Sequence, residues 1–294
     1  MTSIDELQAS LSAQGYLADR DLATVAFLAV RLGKPLLLEG EAGVGKTEAA
    51  KALAAALETR LIRLQCYEGI DAAHALYEWN YAQQLLHIRL ADRGVQPSGD
   101  SEAEIFDRRF LLRRPLLQAI DHHDQRAPVL LIDEVDRSDA EFEAFLLELL
   151  SDFQVTIPEL GTIRADHPPL VVLTSNRTRE IHDALKRRCI YHWIPYPSLD
   201  REIEIVRARV PEADSMLAHS VARMIQRLRQ LDLYKPPGIA ETLDWSRALL
   251  ALDWKPGDLS SLRSSLGVAV KNEDDLQTAR EHLAGVASDN DQGG

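Results

Sequence analysis

Eight consecutive residues, Gly40-Glu-Ala-Gly43-Val-Gly45-Lys46-Thr47, constrain this chain more than any other feature it carries. They fit the spacing G-x-x-x-x-G-K-[ST] in full, with an apolar run at 35–38 before them and an Ala-rich stretch at 47–57 after them. That order reads as buried strand, Gly-rich turn and helix. Glycines let the backbone wrap closely around phosphate oxygens with its amide N–H groups pointing inward, and the helix adds the positive end of its dipole. In such a loop Lys46 bridges the β- and γ-phosphates and the Thr47 hydroxyl ligates Mg²⁺. The candidate phosphate-binding segment is therefore Gly40, Glu41, Ala42, Gly43, Val44, Gly45, Lys46 and Thr47, against the alternative of a chance Gly-rich turn. Glu39 and Glu41, which flank the turn, read as solvent-facing.

A second motif lies downstream. Leu130-Leu-Ile-Asp133-Glu134 is an apolar strand ending in two carboxylates. A continuous apolar run implies burial on both faces, which puts the acids at the carboxyl edge of a parallel sheet. There Asp133 would hold Mg²⁺, directly or through water, and Glu134 would polarise an attacking water. A lone Asp-Glu pair also serves as a helix cap; the phosphate loop upstream favours the chemical reading. Asp136 and Arg137 read as loop residues or as a subunit contact.

Residues 170–174 form another apolar strand, tipped by Ser175-Asn176. Asn176 would hydrogen-bond the water or the γ-phosphate, or simply form a turn. Residues 183–189 make a short helix ending in Lys186-Arg187-Arg188. Cations suit a helix C-terminus anyway. The sharper reading of Arg187 and Arg188 is an arginine finger offered to a nucleotide on a neighbouring subunit.

Around these motifs the first 30 residues or so read as helical, 61–66 as a strand, 154–168 as a hairpin, and 190–194 as a last strand closed by Pro195 and Pro197. Residues 67–115 are mixed, with Tyr77, Trp79 and Tyr81 close together and a turn at 97–100. After 197 only helices follow: Val221, Met224, Ile225, Leu228 and Leu231 share one face, and Leu249 and Leu252 another. Strands alternating with helices, then helices alone, indicate an α/β domain plus a small helical domain.

Composition narrows the function classes. Against 33 Lys and Arg stand 46 Asp and Glu, a net charge of −13, which disfavours coating of nucleic acid through bulk charge. A local basic surface along 108–114 is still open, through Arg108, Arg109, Arg113 and Arg114. No apolar run approaches the ~18–20 residues of a membrane span, and the acidic N-terminus lacks the basic start of an export signal. The two cysteines, Cys66 and Cys189, make neither a metal cluster nor a disulfide framework, which fits a reducing, cytoplasmic setting.

The order of elements resembles the AAA+ ATPases: phosphate loop, Asp-Glu strand, Asn-tipped strand, Arg-ended helix and helical lid. Within them the chain is similar to the MoxR family, through the insertion after the second strand and the hairpin before the Asn-tipped strand. The stretches LYEWNYAQQLL, ALKRRCIYHW and KPPGIAETLDW look like the MoxR subgroup associated with carbon monoxide dehydrogenase maturation. This resemblance implies a P-loop NTPase α/β core with a parallel sheet and flanking helices at 1–196. Within that core fall a helix-two insert at 67–110 and a pre-sensor hairpin at 154–168. A helical lid at 197–285 and a flexible tail at 286–294 complete the expected organisation.

The same resemblance implies Asn176 as sensor 1, Arg188 with Arg187 as the finger, and Gly15 and Tyr16 beside adenine. Relatives carry a sensor 2 Arg where Thr242 stands here; Arg247, a turn further on, is the alternative. The implied cofactors are ATP and Mg²⁺. The implied assembly is a homo-oligomeric ring, a hexamer, working with a von Willebrand factor A domain protein on a metalloenzyme client such as a molybdenum carbon monoxide dehydrogenase. Two other functions use the same nucleotide site: a nucleic-acid motor or clamp-loader-like ATPase, and a nucleotide-dependent assembly switch with negligible turnover.

Overall fold

The computed structural model describes residues 2–92 and 105–291. The turn expected at 97–100, part of the insert at 67–110 and the end of the tail, 292–294, lie outside the described residues. In chain order the strands are β1 (Leu36–Gly40), β2 (Leu61–Gln65), β3 (Tyr77–Trp79), β4 (Leu111–Arg113), β5 (Val129–Asp133), β6 (Gln154–Ile157), β7 (Gly161–Arg164), β8 (Leu170–Ser175) and β9 (Ile190–Ile194). The helices among them are α1 (Ile4–Ala13), α2 (Arg20–Leu32), α3 (Lys46–Ala56), α4 (Ala72–Leu76), α5 (Tyr81–Asp92), α6 (Pro115–Ile120), α7 (Ala140–Asp152) and α8 (Asp183–Arg188).

Five strands form one sheet in the order β2-β5-β8-β1-β9. The pairs β2·β5, β5·β8 and β1·β8 are parallel, as expected of strands joined through helices. β1 and β5 are buried at every residue, whereas edge strand β2 alternates, with Ile62 and Leu64 inward and Arg63 outward. The register sets Gln65 beside Asp133 and Leu38 beside Thr174, so the strand ends that carry the motifs line up along one sheet edge. That carboxyl edge is where open α/β sheets bind ligands.

Side chains from both kinds of element fill the core: Leu37, Leu130, Ile132 and Leu173 from strands, Phe142 and Leu146 from α7. Asp139 caps the start of α7 by accepting from Phe142 N at 2.8 Å, and Phe153 in the left-handed region ends it. The residues expected to form a hairpin at 154–168 contain the antiparallel pair β6·β7, with Ile157 and Ile163 turned into the core. β3 and β4 make a second two-stranded sheet. Trp79 there sits edge-on to Tyr77 and Phe106, with ring centroids 6.2 Å and 5.3 Å apart.

The chain divides into two compact units. One comprises Met1–Gln14, Ala18–Glu39 and Thr47–Trp193; the other comprises Gly15–Leu17, Gly40–Lys46 and Ile194–Gly294. The second unit holds α9 (Leu199–Arg209), α10 (Ser215–Arg229), α11 (Ile239–Ala251), α12 (Leu259–Ala269) and α13 (Glu273–Asp291). Its core contains Val221, Ile225, Leu228, Trp245, Leu249 and Leu266, and Trp245 Nε1 donates to Ser265 Oγ at 2.8 Å. Leu252 departs from the expected apolar face: it lies at the C-cap of α11, half exposed, because the helix ends before it. The last helix continues through Asp291. No helix among the described residues is long and apolar enough to cross a membrane.

Candidate functional site

The phosphate loop leaves β1 at Gly40, where a side chain cannot fit: a Cβ there would stand 2.4 Å from the Ile194 carbonyl oxygen. Gly43 and Gly45 take φ values of +76° and +98°, in the region that favours glycine. The chain then enters α3 at Lys46. Lys46 is 6% exposed, and its ammonium donates to the carbonyls of Gly40 at 2.8 Å and Glu41 at 2.6 Å. Gly15 and Tyr16, expected beside the nucleotide, belong to the same unit as the loop. The Tyr16 ring lies 3.7 Å from where a Cβ of Gly45 would stand. Glu41, Ala42 and Gly43 are exposed and Val44 is buried. Glu39 is buried at 4% exposure, contrary to the solvent-facing expectation; burial, then the charge of Glu39 and its acceptance of the Tyr191 hydroxyl, raise that phenol's pKa.

At the ends of β5 and β8 the polar groups converge on Asp133, whose side chain is 2% exposed. Thr47 Oγ1 donates to its two carboxylate oxygens at 3.0 and 3.2 Å. Thr174 Oγ1 donates to Oδ1 at 2.5 Å and accepts the Glu134 amide at 2.9 Å. Arg63 reaches across from β2, with Nε and Nη2 at 3.0 and 2.6 Å from Oδ2. Glu134 adopts φ 55°, ψ 50°, a left-handed conformation uncommon for a non-glycine residue. Its carboxylate is one-third exposed and lies 3.1 Å from Arg137.

Asp136 is not a solvated loop residue. It is 2% exposed, and its Oδ2 accepts the amides of Asn176 at 3.2 Å and Thr178 at 2.9 Å and the Thr178 hydroxyl at 2.7 Å. It thereby fixes the turn that carries Asn176, leaving Oδ1 buried without a partner among the described residues. The sheet edge thus gathers Thr47, Asp133, Glu134 and the Asn176 turn.

Arg187 and Arg188 end α8 and are both exposed. The Arg188 guanidinium donates to Leu147 O at 3.1 Å and to Ser151 Oγ, near the end of α7, so within the chain it caps a neighbouring helix. The start of α8 is held by buried Glu143, which accepts the His182 amide at 2.7 Å and pairs with Arg179.

In the helical unit, Thr242 is buried and donates to Glu202 Oε1 at 2.6 Å. Glu202 also accepts both terminal nitrogens of Arg229 at 2.8 Å and Gln226 at 2.8 Å. Arg229 donates from Nε to Pro237 O at 2.7 Å and lies over the Tyr196 ring, 4.5 Å from its centroid. Burial and the nearby Glu41 push the Tyr196 phenol's pKa up, with Arg229 opposing. Arg247 pairs with Asp244 on the exposed side of α11 at 3.0 Å.

Residues 35–189, more than half of the chain, match the AAA domain of the dynein-related subfamily. The chain belongs to that AAA family. An uncharacterized protein of Staphylococcus haemolyticus (strain JCSC1435) is 25% identical over 264 residues, covering 86% of this chain and 88% of that one. Among solved structures, a mutant of Thermotoga maritima RuvB is 16% identical, with a TM-score of 0.50 over 85% of this chain and 69% of the other. A second mutant of the same RuvB covers 97% of this chain and 71% of its own, at 17% identity and a TM-score of 0.47, too low to carry an argument. The first of these structural likenesses speaks to the fold alone: an α/β core around a parallel sheet.

The donor set of this AAA chain fits Mg²⁺ and a nucleotide. A hydroxyl and a carboxylate in contact are hard oxygen donors, and no cluster of three or more His, Cys, Asp or Glu competes among the described residues. Mg²⁺ takes few protein ligands and keeps water and phosphate oxygens for the rest. Sequence reasoning missed Arg63, Asp136, Thr174, Glu202, Arg229 and Tyr196. Along 108–114, where the sequence leaves a basic surface open, three of the four arginines face two carboxylates. Arg114 pairs with Glu78 at 2.6 Å, Arg108 and Arg113 face Asp121 at 3.5 and 3.6 Å, and Arg109 stacks on Phe110. Both cysteines are free, so no disulfide links them.

Proposed function

We propose that the chain is an ATP-hydrolysing remodelling ATPase of the MoxR type, working as a homo-oligomeric ring in the cytoplasm. The observation that carries this reading is the contact of Thr47 Oγ1 with the buried Asp133 carboxylate, directly after the phosphate loop in sequence. Lys46 and the loop amides hold the β- and γ-phosphates. Thr47 and Asp133 would hold Mg²⁺, which when bound would supply charge stabilisation to those oxygens. Glu134 takes the proton of the attacking water; the new bond runs from water oxygen to the γ-phosphorus, and the bond to the bridging oxygen breaks to give ADP and phosphate. Asn176, set by Asp136, orients the water. Arg188 releases its α7 partners to meet the nucleotide of a neighbouring subunit, with Arg187 beside it. Gly15 and Tyr16 border the base.

The motif order and the stretches at 76–86, 184–193 and 235–245 support the MoxR assignment. They also support a von Willebrand factor A domain partner and a metalloenzyme client of the molybdenum carbon monoxide dehydrogenase kind. Nucleotide binding and phosphate release, measured on Lys46→Ala, Glu134→Gln and Arg188→Ala variants, test the assignment. Lys46→Ala loses ATP; Glu134→Gln keeps ATP and loses turnover; Arg188→Ala keeps ATP and loses turnover in the assembled ring. Parental turnover by the Gln variant overturns the base, and parental turnover by an Arg188→Ala ring overturns the finger. A pull-down with ATP-trapped Glu134→Gln identifies the client.

A further inference from the structure

The Asp133 carboxylate is nearly full. Its Oδ1 accepts two hydroxyls, and its Oδ2 accepts two N–H groups of the same guanidinium besides a longer contact from Thr47. A carboxylate with 2% exposure is costly to bury without a counter-charge, and Arg63 is a cation bonded to it. Arg63 itself is half exposed, on the outward face of edge strand β2, so it is free to move where Asp133 is not.

A divalent ion held by the same carboxylate would compete with this guanidinium. Both Arg63 nitrogens crowd one oxygen, and a +2 and a +1 charge a few ångströms apart repel. Thr47 can turn its proton away and offer a lone pair to the metal; Arg63 has only donors and must leave. Its exit is provided. Gln65, two residues along the same face of β2, already accepts Arg63 Nη2 through Oε1.

We propose that Arg63 is a displaceable counter-ion that competes with the divalent metal for Asp133, holding the carboxylate in place and setting how tightly the metal binds. The inference rests on the reading of this edge as a nucleotide–metal site. Arg63 is accordingly a positioning residue, which acts through Asp133.

The test is a Mn²⁺ titration followed by electron paramagnetic resonance, on the full chain with and without saturating ADP, for the parent, Arg63→Met and Arg63→Lys. Thermal melts in EDTA run alongside. Arg63→Met should bind Mn²⁺ about fivefold more tightly, the size expected for a half-exposed ion pair. It should also melt lower in EDTA, with the loss recovered by Mn²⁺. Arg63→Lys, which keeps the charge but not the fork, should fall between and covers the case in which the Met variant does not fold. Equal or weaker Mn²⁺ binding by either variant overturns the competition. A parent that binds Mn²⁺ but no ADP overturns the nucleotide reading instead, and the arm without ADP still decides the role of Arg63.

Discussion

Gly43 of the phosphate loop and Gly238 at the start of α11 meet backbone against backbone. A Cβ on Gly238 would stand 2.6 Å from Gly43 Cα, and one on Gly43 would stand 3.0 Å from Gly238 Cα. The Ile239 amide donates to the Gly43 carbonyl at 2.8 Å, and Glu241 folds back to accept the Gly238 amide at 3.0 Å. The middle of the loop is therefore shaped by a helix N-terminus nearly two hundred residues away in sequence.

Gly238→Ala should consequently destabilise the protein by about 1–3 kcal/mol, as overpacking does, and weaken ADP binding in parallel. Gly267 in α12 supplies the contrast, since nothing lies within 4 Å of its Cβ position. Gly267→Ala should stabilise by about 0.5–1 kcal/mol and leave ADP binding alone. Urea melts and ADP titrations on the two variants check this; a Gly238→Ala protein as stable as the parent refutes the close approach.

Thr174 gives its proton to Asp133 and its lone pair to the Glu134 amide. Thr174→Val keeps the shape and leaves both partners short of a bond, which should cost about 1–3 kcal/mol. Thr174→Ser should retain most of the stability. ATP turnover should fall in the Val variant beyond what its melting temperature explains, and equal turnover in Val and Ser would sink the assignment.

Burial holds His192 below its ordinary value of 6.5, with Asp19 and Asp21 opposing. The unfolded chain therefore takes up this proton first as pH falls. The contribution is fully present above about pH 6.5 and is lost below it. His192→Gln should flatten the melting temperature between about pH 7.5 and about pH 5.5. An unchanged slope would remove His192 as a source of acid sensitivity.

Burial, helped in one case by Asp133, pushes both the Cys66 and Cys189 thiols up to about 12. Thiolate is the reactive form, so native protein should resist iodoacetamide at neutral pH and take up two labels only when unfolded. Mass spectrometry of the alkylated chain reads this directly.

The parts of the candidate site that were legible in the sequence are those set by local spacing. The phosphate loop, the Asp133-Glu134 strand end and the Asn176 tip each follow from a few adjacent residues, as do the strands that carry them. Arg63 was illegible because an outward residue on an alternating strand looks like solvent-facing charge. Only the register, Gln65 beside Asp133, shows that it reaches the buried acid. Asp136 failed for a related reason: its partners, Asn176 and Thr178, sit forty residues on, across the sheet. Thr242 stands in the sequence only as the residue where the resemblance expects an Arg; its buried contacts were not legible. They involve Glu202 and Arg229, whose pairing depends on how three helices pack.

The Gly43–Gly238 approach also bears on the order in which the protein is built. Residues 40–46 are made well before their neighbours at Ile194, Gly238 and Ile239. Contacts of such long sequence separation carry a loop-closure cost that local contacts do not. A nascent chain that stops short of Gly238 holds every letter of the phosphate-binding motif but not the wall that shapes it. The surroundings of the loop are thus complete only once the helix that begins at Ile239 has been made.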